Sequence, residues 1–159
     1  LLWSACTSVW DLFSMWDYKT EDTREVKQMN IGFIAHESKK KLLQNFCIAY
    51  RGILSKHDLY ATGTSGRLIE EATNLTVHKL LAGHVGGEQQ MASMIEQNQM
   101  DLIISLRDPY VGKRQEPDSN KIFRLCDTYI IPLATNLASA ELLIKSLDRG
   151  ELDWREIYK

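Results

Sequence analysis

The sequence predicts an α/β domain with a five-stranded parallel sheet and helices on both faces. Three observations carry that expectation. Five short apolar runs alternate with stretches of helical spacing, and parallel neighbours need such crossovers. Glycines and polar residues gather where most of the runs end. The chain has 159 residues, about one domain's worth and enough to bury roughly two thirds of its unfolded surface.

NIGFIAHE (30–37) is apolar and ends in polar residues, the pattern of a buried strand. SKKKLLQNFCIAYRGILSKH (38–57) sets Leu42, Leu43, Phe46, Cys47, Tyr50 and Ile53 at helical spacing. DLYATGTSG (58–66) reads as a strand running into a glycine turn, and RLIEEATNL (67–75) as the helix behind it. TVHKLLAG (76–83) is the third strand, GEQQMASMIEQNQ (87–99) a helix, and MDLIISLRDP (100–109) the strongest strand. VGKRQEPDSN (111–120) is irregular, and long loops at that edge often carry function. SNKIFRLCDTY (119–129) is a helix, IIPLATN (130–136) the fifth strand and LASAELLIKSLDRG (137–150) a closing helix.

Residues 1–28 read as an N-terminal extension ahead of a domain at 29–159. LLWSACTSVWDLFSMW (1–16) holds three of the four tryptophans. It lacks a basic leader, is interrupted by Asp11 and is too short to span a bilayer. The expectation is a docking helix or a poorly ordered segment rather than a membrane anchor, with recruitment of a partner as a weaker reading. DYKTEDTREVKQ (17–28) is a polar linker.

Hydrophobic residues make up 44% and charged residues 25%, an ordinary globular composition. The net charge of −2 supplies no broad basic field for nucleic acid. Cys6, Cys47 and Cys126 are too scattered for a metal motif, and an odd, sparse count suits a reducing cytosol. His36, His57, His78 and His84 show no metal-ligand pairing. Neither a metal nor a membrane is expected as a partner.

In parallel sheets ligands bind beyond the carboxyl ends of the strands. ATGTSG (61–66) there can cradle a phosphate. Thr62, Thr64 and Ser65 offer hydroxyls, and the next helix adds its positive end. An ordinary strand-to-helix turn capped by Ser65 is an equal alternative. Lys40 can reach the same mouth as a point charge, or simply belong to a solvated lysine run. LAGHVGGEQQ (81–90) delivers one carboxylate, Glu88, on glycines, either as a base or as a helix-capping charge. His36-Glu37 and Asp108-Pro109 end strands one and four, and Asp118 stands ready to cap a helix. Arg107 and Arg114 are further candidates for anion contact. A small phosphorylated substrate and proton-transfer chemistry fit this inventory.

Taken together, LYATGTSG, the GGxQQ of GHVGGEQQ, the DP of RDPY, the PD of EPDSN and IPLATN resemble methylglyoxal synthases across about residues 29–150. Single fragments do not specify that family, whereas ATGT[ST]G paired with GGxQQ at this spacing does. The resemblance implies a flavodoxin-like three-layer α/β/α fold and a homohexamer. It also implies conversion of dihydroxyacetone phosphate to methylglyoxal and inorganic phosphate without metal or organic cofactor. Phosphate is then both product and inhibitor.

Position by position, the family's base is an aspartate, and this chain has Glu88. The family's proton-shuttling histidine falls at Gln115, which has no titrating proton to move. Its second catalytic aspartate falls at Asp118 and its supporting aspartate at Asp108, although the neighbouring tryptophan is Arg107 here. The phosphate and substrate side falls at His36, Lys40, Thr62, Thr64, Ser65 and Gly83, while a serine of the family is Ala82. The binding half is largely kept and the chemical half altered. A domain that binds a phosphorylated metabolite as a regulatory module is therefore the alternative to an enzyme.

Overall fold

The computed structural model describes Glu25, residues 27–110 and residues 119–159. The 1–28 extension lies almost wholly outside the described residues. So do Arg114, Gln115 and Asp118.

Strand β1 (Asn30–Ala35) leads through a 3-10 turn to α1 (Lys40–Ala49) and the single turn α2 (Arg51–Leu54). Then come β2 (Asp58–Thr62), α3 (Gly63–Thr73), β3 (Val77–Leu80) and α4 (Gly87–Glu96). Strand β4 (Leu102–Leu106), α5 (Ser119–Thr128), β5 (Leu133–Ala134) and α6 (Leu137–Asp148) follow. A 3-10 segment, Asp153–Tyr158, ends the chain.

The sheet is parallel throughout, in the order β3-β2-β1-β4-β5. Central β1 sets Ile31 beside Leu59 on one side and Leu102 on the other. Alternate side chains face opposite ways, so two separate cores form. Ile31, Phe33, Leu59, Leu102 and Ile104 pack with Leu43, Phe46, Ile69 and Ile144 of α1, α3 and α6. Ile34 and Ile103 pack with Met91, Ile95, Ile122 and Cys126 of α4 and α5. Each fully buried large apolar side chain contributes about 1.5–3 kcal/mol. These two layers around the sheet are the expected flavodoxin-like three-layer arrangement.

The crossovers explain which helix lies where. From β1 the chain steps outward to β2 and β3. After α4 it returns past β1 to β4, and right-handed connections then place helices on the opposite face. The strand order reverses between β1 and β4, opening a crevice at their carboxyl ends.

Most expected boundaries shift by a few residues, and two shifts have a clear cause. ATGTSG is not a free turn: β2 ends at Thr62, and Gly63, Thr64, Ser65 and Gly66 already form the first turn of α3. The fifth strand shrinks from 130–136 to Leu133–Ala134. Ile130 takes a left-handed φ of 54°, and Pro132 has no amide hydrogen to give a neighbour. Cys47 and Cys126 are buried free thiols, and burial pushes both up to about 12.

Candidate active site

A cavity of about 210 Å³ lies at the carboxyl edge of the sheet, where β1, β2 and β4 end and the β3–α4 turn folds over. That is below the range of about 300–1,000 Å³ usual for drug-sized ligands, so it suits a small metabolite. His36, Glu37 and Lys40 come from the end of β1 and the start of α1; Thr62 and Thr64 come from the β2–α3 junction. Gly83, His84 and Glu88 supply a third wall, and Ser105 and Arg107 of the β4 end a fourth.

The third wall is the most constrained. Gly86 has a φ of +109°, a left-handed conformation that side chains resist. At Gly87 an added Cβ would sit 2.0 Å from the Leu81 carbonyl oxygen, so the backbone there tolerates no side chain. The Gly87 amide donates to Ala82 O at 3.0 Å, and the Leu81 amide to Gln90 Oε1 at 2.6 Å. The second glutamine of GGxQQ thus reaches back to close the turn. The Gly63 amide donates to Leu81 O at 3.2 Å, tying the start of α3 to the same turn. The outcome is a fixed half-buried position for Glu88 in the first turn of α4. Its Oε1 lies 3.8 Å from where a Gly83 Cβ would stand. A carboxylate also suits that helix end electrostatically, so capping and chemistry are compatible roles.

Lys40 pairs with Glu37 through a hydrogen-bonded salt bridge; the lysine side chain is 15% exposed and the glutamate 80%. The pairing holds Glu37 below the usual carboxylate range. A glutamate so open to water is a weak competitor, so an entering anion can take the ammonium over. Thr62 is buried and precedes the first turn of α3, and Thr64 within that turn is exposed. Arg107 stands at the rim with its guanidinium 5.0 Å from the Phe123 ring centre.

Two of the residues singled out from the sequence are described but do not line the cavity. Ser65 is 1% exposed, and its Oγ has no hydrogen-bond partner among the described residues; helix winding turns its side chain inward, behind the cavity wall. Asp108 lies one step away. It accepts from Ser38 Oγ at 2.7 Å and from the Tyr110 amide at 2.9 Å, which together hold its carboxyl below the usual range, the serine first. Ser38 Oγ in turn lies 2.9 Å from His36 Nδ1. Ser105, a cavity residue, was not among the sequence candidates; its only signal was a lone hydroxyl in the apolar strand LIISL.

Fold and cavity together define a doubly wound α/β protein with a small cleft lined by charged side chains at its switch point. The comparisons with known proteins are specific. A family model described as MGS-like domain matches residues 43–135. The chain is 62% identical over 129 residues to the methylglyoxal synthase of Caldicellulosiruptor saccharolyticus, covering 81% of this chain and 92% of that one. It is 52% identical over 129 residues to that of Listeria welshimeri, with 81% and 96% covered. The crystal structure of methylglyoxal synthase from Elizabethkingia anophelis superposes with a TM-score of 0.71 at 37% identity, covering 75% of this chain and 78% of that one. The chain belongs to the methylglyoxal synthase family.

Proposed function

We propose that this chain converts dihydroxyacetone phosphate to methylglyoxal and inorganic phosphate. The observation that best supports the reading is Glu88, held by an obligatory glycine turn on the wall of a cavity that also presents Lys40, Thr62 and Thr64. Lys40 and the first turn of α3 hold the phosphate. Glu88 removes a proton from the hydroxymethyl carbon. The resulting enediolate expels phosphate as the carbon–oxygen ester bond breaks. The hydroxymethyl carbon rises to an aldehyde while the phosphate-bearing carbon falls to a methyl, so the electrons balance within the substrate and the chemistry calls for no redox cofactor. Asp118 as second carboxylate, Gln115 beside it and a phosphate-side role for Ser65 and Gly83 rest on the family resemblance.

The finer points of the reading are a homohexamer, a cytoplasmic location and a functional domain at 29–159 with 1–28 as an appendage. Among the described residues no helix is long and apolar enough to cross a membrane. Sedimentation of the whole chain and of a chain lacking 1–28 tests both assembly and appendage.

The test of function is methylglyoxal formation and phosphate release by the purified protein. Glu88→Gln is expected to lower kcat by on the order of 10² to 10⁴ with the fold unchanged by circular dichroism. Phosphate binding without turnover in the unaltered protein would replace this reading by a metabolite-binding regulatory module.

A further inference from the structure

Glu37 and Lys40 both line the cavity, and among the described residues each is the only side chain that hydrogen-bonds the other's charged end. The two ends of the pair are anchored very differently. Lys40 opens α1, whose Leu43, Phe46 and Cys47 are buried in the core, and its side chain is 15% exposed. Glu37 belongs to the 3-10 turn Glu37–Lys39, which buries none of its residues, and its side chain is 80% exposed. The ammonium thus stands on a packed helix at the cavity mouth, and the carboxylate is a loose counter-charge in water.

A carboxylate and a phosphoryl group offer an ammonium the same thing, a charged oxygen that accepts a hydrogen bond. Lys40 has three donors, yet two anions gathered on one ammonium repel each other. An arriving phosphate therefore replaces Glu37 rather than joining it. The exposed turn lets the carboxylate swing into water when this happens. Its position three residues before Lys40 keeps it within reach for the return.

We propose that Glu37 is a built-in competitor of phosphate: it occupies Lys40 while the cavity is empty, and every phosphorylated ligand has to displace it. The inference rests on the phosphate-holding role given to Lys40 above. Freeing Lys40 is the same step for substrate and for inorganic phosphate, so Glu37 weakens both by one common factor. The net worth of an ion pair so open to water limits that factor to about fivefold. On release the carboxylate returns to the ammonium, which favours departure of the phosphate product. Glu88, held on its glycine turn, has no part in this exchange; one carboxylate of the cavity is placed for chemistry and the other tunes affinity.

The experiment is isothermal titration of the full chain with inorganic phosphate, alongside kinetics. Glu37→Gln keeps the shape of the side chain, removes its charge and, at an exposed position, leaves packing intact. It is expected to tighten phosphate binding by about threefold to fivefold and to lower KM by the same factor without raising kcat. A side chain that merely shaped the site would not strengthen binding on losing its charge. The same substitution in a Lys40→Met chain separates competition for the ammonium from plain repulsion of phosphate by the carboxylate. Competition gives no further tightening there, whereas repulsion gives the same tightening in both backgrounds. Unchanged or weaker binding in Glu37→Gln, or equal tightening in both backgrounds, overturns the inference. Turnover with an unshifted phosphate affinity keeps the lyase and removes the competitor. The expected shift in a chain that makes no methylglyoxal keeps the competitor and removes the lyase reading.

Discussion

At the amino edge of the sheet the Arg155 guanidinium is 0% exposed. It donates to the carbonyls of Tyr129, Ile130 and Met100 and to Asn98 Oδ1, and its Nε faces Asp101 Oδ1 at 3.5 Å. Asp101 Oδ2 also accepts from the Asn30 amide at 2.9 Å and from Lys159 Nζ at 3.1 Å. At the carboxyl edge Lys40 meets a solvated glutamate, and Glu88, His36 and two threonines face a cavity. The same polar chemistry is thus spent on the fold at one edge and turned toward a cavity at the other. Buried polar groups destabilise unless partnered. The amino edge draws most of its partners from the protein, so it ties strand starts to the 3-10 segment at 153–158. The carboxyl edge aims its groups at an open cavity.

The largest expected contrast comes from Arg155→Ala. Removing one partner of a buried ion pair costs about 3–5 kcal/mol, so urea denaturation should show a loss of that size. Turnover by the fraction still folded should keep its KM. An equal stability loss from Lys40→Met would erase the distinction between the edges.

Gly87→Ala sharpens the comparison from the other side. The methyl would lie 2.0 Å from the Leu81 carbonyl oxygen, so the turn must move. Overpacking of that kind costs about 1–3 kcal/mol, and a shift of Glu88 by about 1 Å lowers the rate on the order of a hundredfold. Kinetics and thermal melting of the same preparation separate the two effects.

Lys40→Met should weaken inorganic phosphate binding by about 10- to 100-fold, the scale of one charged hydrogen bond of about 1.5–3 kcal/mol, while the melting temperature without phosphate barely moves. Isothermal titration reads the first and calorimetric melting the second.

The smallest effect concerns His57 at the amino edge. Its Nδ1 accepts the Met29 amide at 3.1 Å, and burial, followed by Lys56, lowers its pKa from 6.5. The unfolded ring therefore takes up a proton before the folded one does. Stability is fully present above about pH 6.5 and is lost as the pH falls toward the folded value. In His57→Asn the difference in unfolding free energy between pH 7.5 and pH 5.5 should shrink. An unchanged difference would mean that acid lability arises elsewhere.

The order of strands and helices was legible along the chain because alternation and helical spacing are local patterns. GGxQQ was legible as well, because Gly86, Gly87 and Gln90 act within a few residues of one another. The C-terminal clamp was not: nothing in ELDWREIYK separates Arg155 from a solvated arginine, since its partners lie at 98–101 and 129–130. Ser65 read as a cavity hydroxyl until the helix start at Gly63 turned it inward. Asp108 read as part of the cavity, while the structure sets it behind Ser38.

Residue types and short-range spacing were therefore enough to specify the layers, the glycine turn and the family. Tertiary structure alone decided which polar groups face the cavity and which are consumed by the protein. A hydrogen bond such as Ser38–Asp108, spanning 70 positions, depends on the parallel pairing of β1 with β4, and no local pattern in either segment encodes its partner.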